Sequence, residues 1–339
     1  MSDKVMSMKD AVAKYVESGD VMCFGGFTTN RKPYAAVFEI LRQGQKDFIG
    51  WSSPAGGDWD LLIGEGRVKA YINCYTANSG FTNVSRRFRE AIEKGEILFE
   101  DYSQDVLMLQ LHAAALGLPF LPTRFMAASG LTKYWGMSEE VRKKLEKVDD
   151  LKLVEMDNPF QPGEKCVAVP VPKLDTAIIH VQKASPDGTA IIYGDEFHDV
   201  DIAMAARKTI VTCEELVSNE EIRKDPSLPN VFAGCVDAVV HVPFGAWPSQ
   251  CYDYYDDDPD LLREYDKASK YLDDNDAKAK MDKKKIPYDP DHMPENFKDF
   301  CEKWIYSLDN HEQLLDKIGG SRLAKLKVVP GLGYSTYVK

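Results

Sequence analysis

The stretch Val21-Met22-Cys23-Phe24-Gly25-Gly26-Phe27 constrains this chain more than any other. An apolar run ends in two glycines, and Thr28-Thr29-Asn30-Arg31-Lys32 then leads to Pro33. Such a run predicts a buried strand over 21–24, a turn with no Cβ atoms in its way, and a helix over 33–43 whose first turn holds Pro33. A turn of this kind aims backbone N–H groups at whatever docks there. The reading therefore places an anionic or polarised group near residues 25–30, although a Gly-Gly pair also serves a tight turn.

The same beat recurs. Phe48-Ile49-Gly50-Trp51 predicts a strand, Ser52-Ser53-Pro54-Ala55-Gly56-Gly57 a second small-residue turn, and Asp58-Trp59-Asp60-Leu61-Leu62 a helix with acids at its positive end. Val68 to Asn73 reads as the next strand, Thr76-Ala77-Asn78-Ser79-Gly80 as a third polar turn, and 85–93 as a helix with Ser85 as its cap. Strand, turn and helix in repetition predict an α/β fold, an open and mostly parallel sheet with helices on both faces. Ligands of such sheets bind beyond the carboxyl ends of the strands, where these turns sit.

Elsewhere the pattern predicts helices over 5–18, 104–116 and 138–147, with Glu100, Asp101 and Asp105 forming an acidic helix start. Leu118 to Pro122 reads as a rigid extended connection. Val167–Pro172 and Thr176–Val181 read as adjacent strands, and 209–215 and 238–243 as two more. Residues 253–295 break the rhythm with Asp, Lys, Tyr and proline, which predicts helix plus a solvated excursion. Helical spacing returns over 296–318, and 328–334 ends in a strand and turn. The chain reads as a single domain over 1–339 with a polar surface insertion near 272–295.

Net charge is −12, which argues against nucleic acid as the main partner. The basic clusters Arg86-Arg87-Phe88-Arg89 and Arg67-Val68-Lys69 leave room for a small anion, or are simply solvated. No run approaches the ~20 apolar residues of a membrane span, and Met-Ser-Asp-Lys opens no apolar leader. The seven cysteines are scattered singly, with no C-x-x-C pair and no histidine spacing for a metal. The expectation is a cytoplasmic protein with reduced thiols, no metal and no permanently bound cofactor.

No catalytic nucleophile emerges. There is no G-x-S-x-G elbow, no phosphate-binding Walker loop and no H-E-x-x-H. His180 and His241 sit inside apolar strands, His112 precedes three alanines in a helix and reads as packing, and Met108 reads as core. The chain thus has binding turns without a reactive group. Either it binds without reacting, or a partner chain supplies the reactive group.

Gly25-Gly26-Phe27 and Pro33 resemble the first-subunit motif of the class I CoA-transferases. The stretches 31–44, 70–80, 112–122 and 327–334 resemble the alpha subunits of glutaconate CoA-transferases almost word for word. The family's catalytic glutamate lies in a Ser-Glu-Asn-Gly motif on the other subunit, and this chain has no such tetrapeptide. The resemblance implies a heteromer completed by a second, glutamate-bearing CoA-transferase subunit. It moves CoA from an acyl-CoA to a small carboxylic acid, glutaconate first among them, by ping-pong chemistry through the partner's glutamate. The CoA thioester is then a substrate. Gly25, Gly26 and Phe27 are the expected backbone donors to the oxyanion. Asn78, Ser79 and Gly80 are expected to hold a substrate carboxylate, with Arg31 and Arg86 as further candidates. Trp51-Ser52-Ser53-Pro54 departs from the smaller, glycine-richer turn of the glutaconate enzymes, which points to an acid pocket of different shape.

Two alternatives follow from the same residues. Ring-opening hydrolases of CoA-bound steroid fragments share the fold and use a glutamate on the subunit equivalent to this chain; it aligns near Ser103, close to Glu100 and Asp101. A polypeptide that only scaffolds or binds CoA is the other.

Overall fold

The computed structural model describes residues 3–286, 289, 293–329 and 331–334. The first third alternates strictly: α1 (Met8–Tyr15), β1 (Val21–Phe24), α2 (Tyr34–Gln43), β2 (Phe48–Trp51), α3 (Gly57–Gly64), β3 (Val68–Asn73), α4 (Arg86–Lys94), β4 (Leu98–Asp101) and α5 (Gln104–Ala115). The middle holds β5 (Phe120–Thr123), α6 (Glu139–Arg142), β6 (Val154–Asp157), β7 (Lys165–Pro170), β8 (Thr176–Ala184), β9 (Ala190–Ile191), α7 (Asp199–Ala205), β10 (Lys208–Leu216), α8 (Asn219–Ile222) and β11 (Ala238–His241). The last part is largely helical: α9 (Pro259–Ala268), α10 (Asp274–Lys283), α11 (Phe297–Cys301), a turn of π-helix at Glu302–Tyr306, α12 (His311–Ile318) and α13 (Gly320–Leu326). It closes with the hairpin β12 (Val328–Val329) and β13 (Gly333–Tyr334).

The main sheet runs β11-β10-β8-β1-β2-β3-β4 with every one of these pairings parallel, and β9 folds back antiparallel on β8. Strands buried on both faces need apolar residues of both parities. Met22 and Phe24 accordingly join the core under α1 to α4 and the C-terminal helices, whereas Val21 and Cys23 join a second core with α5 and α7. The expected open parallel sheet with helices on both faces is therefore the observed one.

Four local expectations are corrected. Leu98–Asp101 is a strand paired with β3, and the helix starts only at Gln104, capped by Ser103. The acids at 100 and 101 belong to that strand. Leu118–Pro122 contributes β5 to a separate antiparallel sheet ordered β5-β7-β6, so β7 does not lie beside β8. The helix expected over 138–147 is the single turn α6. The helical stretch 296–318 is broken by the π-turn and by the new cap at Asn310. Pro287 and Pro290 of the expected insertion lie outside the described residues.

From β1 the chain winds outward through β2, β3 and β4, then returns to place β8 on the other side of β1. The connections on the two sides of the β1–β8 pair diverge to opposite faces, α2 into one core and α7 into the other. That divergence opens a crevice at the carboxyl end of β1, the usual ligand position in an open α/β sheet.

Candidate functional site

The crevice is floored by the glycine turn. Gly26 has φ +73°, and a Cβ there would meet the Asn30 carbonyl oxygen; a Cβ on Gly25 would lie 2.6 Å from the Asp199 carboxylate. Both positions therefore need glycine. The turn's donors are not bare. Gly25 N–H donates to Ile178 O (2.9 Å), Gly26 N–H to Asp199 Oδ1 (2.7 Å), Phe27 N–H to Asn30 O (2.9 Å) and Thr28 N–H to Pro54 O (3.2 Å). An internal carboxylate, Asp199 at the start of α7, takes the place that sequence reasoning gave to a docked anion.

Charge in this layer is closed internally. Arg31 donates from Nη2 to Asp199 Oδ2 (3.0 Å) and from Nη1 to Asp195 O (2.9 Å), and is only 3% exposed. Lys32 reaches Asp58 Oδ2 at 3.3 Å and donates to Gly26 O at 3.2 Å, and both charged side chains are fully buried. Beside them the His198 Nε2–H donates to Phe24 O at 3.2 Å, and burial lowers the pKa of its ring.

The three predicted turns do come together. Asp58 Oδ1 accepts from Gly56 N–H (2.8 Å), Asn78 Oδ1 accepts from Gly57 N–H (2.7 Å), and Ala55 and Ala77 exchange backbone bonds with the third turn and the second. Asn78 is thus buried as a brace, whereas Ser79 and Gly80 are exposed and Phe27 is half-buried. Phe27 stacks on Phe197, with centroids 5.1 Å apart. Arg86 lies away from the turns' mouth, paired with Asp266 at 3.0 Å. Ser52, Ser53 and Pro54 are buried, and Ser53 Oγ–H donates to Met108 Sδ at 2.8 Å, so the departing turn packs inward. His112, read as packing, is instead largely exposed and meets Asp201 at 2.9 Å.

A groove of about 500 Å³ opens over the switch point, lined by Asn30, Arg31, Tyr193, Asp195, Phe197, Gln250 and Tyr252 among others. Sequence reasoning found Arg31 of this set and missed the rest. Only the neighbouring Gly194 and the acids near 195–201 hinted at a turn and helix start there. The loop carrying Gln250 and Tyr252 is clasped to the sheet from beneath. Glu214 accepts from Tyr255 O–H (2.6 Å) and Phe244 N–H (2.8 Å) and meets His180 Nε2 at 2.7 Å; His180 Nδ1 meets Thr212 Oγ1 at 2.8 Å. His180, Glu214 and Cys251 bring their ligand atoms within 4.8 Å of one another. The histidine and the glutamate are already hydrogen-bonded, and the trio reads as a structural clasp.

Glu100, the carboxylate nearest the position of the glutamate that the hydrolases use, is fully buried. It accepts from Gly136 N–H (3.0 Å) and Met137 N–H (3.3 Å) and sits against Arg142 (3.3 Å) and Lys152 (2.8 Å). Ser103 is spent as the cap of α5.

Residues 5–241 match the coenzyme A transferase family. The chain belongs to that family. It is 60% identical to the first of the two subunit types of glutaconate CoA-transferase from Acidaminococcus fermentans, over 98% of this chain and 97% of that one. The crystal structure of the glutaconate coenzyme A-transferase from the same organism superposes with a TM-score of 0.89, covering 98% of both chains. A more distant relative is the IpdA subunit of a cholesterol ring-cleaving hydrolase from Rhodococcus jostii, 32% identical over 79% of this chain and 88% of that one. No helix among the described residues is long and apolar enough to cross a membrane.

Proposed function

We propose that this chain is the first, non-nucleophilic subunit of a heteromeric CoA-transferase that moves CoA from an acyl-CoA to a small carboxylic acid, with glutaconate the leading candidate. The observation that carries this reading is the 60% identity to the corresponding subunit of a glutaconate CoA-transferase along almost the whole of both chains. The crevice at the β1–β8 switch point supplies the place, and a second subunit with a Ser-Glu-Asn-Gly motif supplies the nucleophile. The partner's carboxylate attacks the thioester carbonyl and expels CoA thiolate, leaving an acyl-glutamyl anhydride. The thiolate attacks the glutamyl carbonyl of that anhydride and releases the first acid. The second acid then attacks the glutamyl-CoA thioester, and the returning thiolate takes the new acyl group.

This chain's part is to shape and dry the cleft. Phe27, Ser79, Gly80 and the rim of the groove face the partner, while Gly25, Gly26, Arg31 and Asn78 hold the turns rigid behind them. A rigid, water-poor wall keeps thioester and carboxylate in reacting geometry. The test is co-expression with the second subunit encoded nearby, followed by CoA transfer from acetyl-CoA to a panel of dicarboxylic and monocarboxylic acids. A glutaconate optimum supports the full reading. Transfer to another acid corrects the substrate, and C–C cleavage with the thioester retained would put the chain with the hydrolases. Residues near 100–103 give that last outcome no free carboxylate except Asp101, which is 42% exposed.

A further inference from the structure

We infer that the groove over the switch point receives the pantetheine arm of the acyl-CoA, and not the carboxylic acid. The inference rests on the CoA-transferase reading given above. It starts from charge. The one cation lining the groove, Arg31, is 3% exposed, its guanidinium is committed to Asp199 and to the Asp195 carbonyl, and its Nε is sealed from solvent. The other charged lining residue is Asp195, which is exposed. A carboxylate entering this groove would meet a carboxylate and no available cation, an unfavourable arrangement in a partly desolvated site.

The polar groups that remain are amides. Backbone bonds from Gln250 N–H to Thr29 O (3.0 Å) and from Arg31 N–H to Gln250 O (2.7 Å) hold Asn30 and Gln250 side by side. Their side chains bond to each other, Gln250 Nε2 donating to Asn30 Oδ1. Each side-chain amide carries one acceptor oxygen and one donor NH₂. The mutual bond consumes one donor and one acceptor, which leaves Asn30 Nδ2 and Gln250 Oε1 with no further partner among the described residues. Turning both amides over leaves the same pair of functions. One free donor beside one free acceptor is the complement of a secondary amide, and the pantetheine arm is an uncharged chain with two of them. Tyr193, Phe197 and Tyr252, the last 58% exposed, supply flat apolar surface for the methylene and dimethyl segments between those amides.

The experiment uses the assembled complex of the full chain with its second subunit, with acetyl-CoA, acetyl-pantetheine and S-ethyl thioacetate as donors, the last having no amide. Asn30→Ala and Gln250→Ala are each expected to lower kcat/KM about tenfold for the first two donors, the worth of one hydrogen bond. The loss should be absent with S-ethyl thioacetate, and the acid's KM should not move. A rise in the acid's KM with the donor kcat/KM untouched would assign the groove to the acid and overturn the inference. Should either variant fail to assemble, Asp195→Lys at its exposed position decides. A lowered acid KM overturns the inference, and an unmoved one supports it. The reading beneath fails differently: the unmutated complex would then transfer no CoA to any acid. In that case, calorimetric binding of pantetheine to the full chain, lost in Asn30→Ala, still reports on the groove by itself.

Discussion

Asp60 is a carboxylic acid enclosed on all sides, accepting from Phe88 N–H at 2.7 Å and Tyr265 O–H at 2.6 Å. Burial outweighs both bonds and raises its pKa from 3.8 to about 6. The unfolded chain loses this proton near pH 4 and the folded chain near pH 6, so between those values the unfolded state binds fewer protons. Stability must then fall as pH rises through that window, by roughly 3 kcal/mol from this group alone. Asp60→Asn is expected to flatten the stability curve between pH 4 and 6 in denaturant titrations. Gly26→Val is expected to cost at least about 1–3 kcal/mol, because a β-branched residue at φ +73° is strained and its Cβ meets Asn30 O. Thermal unfolding of the purified variant measures it. The glycines were legible in the sequence because only an unhindered turn explains them between an apolar run and Pro33. Asp199, which fills that turn, was not, because nothing local links residue 26 to a carboxylate so far along the chain.

At the scale of elements, the Asp199–Arg31 pair ties the start of α7 to the β1 turn inside the protein. Removing one partner of such a pair strands the other charge. Asp199→Ala is expected to destabilise by about 3–5 kcal/mol, and Arg31→Met/Asp199→Ala to recover part of that loss, since no charge is left unpaired. Chemical denaturation of the three proteins checks both values. Elements of the main sheet were readable where burial on both faces made their strands uniformly apolar, as in β1, β8 and β10. β4 escaped because Glu100 sits in a strand whose neighbours, Arg142 and Lys152, neutralise it from distant loops. β5 escaped because Pro119 and Pro122 read as a connector, and an edge strand tolerates the proline at 122. The separate β5-β7-β6 sheet depends on pairings between segments far apart along the chain, which periodicity does not report.

For the whole molecule, the candidate site has turns, a groove and internally paired charges, and the described residues place no free nucleophile over it. The purified chain alone is therefore expected to transfer no measurable CoA between acetyl-CoA and glutaconate, and addition of the glutamate-bearing second chain to restore turnover. Full activity of the isolated polypeptide would refute the shared-cleft reading. The family was legible in the sequence through stretches such as 31–44 and 70–80, which the fold uses to build α2 and the third turn. The groove was not, because its lining comes from three loops that meet only after β8 has returned beside β1.

The bond from Gly26 to Asp199 spans 173 residues. A nascent polypeptide released as far as β4 already has the glycines, yet has nothing to seat in their turn. The cleft can set only after more than half of the chain has left the ribosome and α7 has swung back, so its timing is that of a late, long-range closure. Fragments ending before residue 199 are thus expected to show helical and parallel-sheet signals without a formed pocket, even where their first strands have settled.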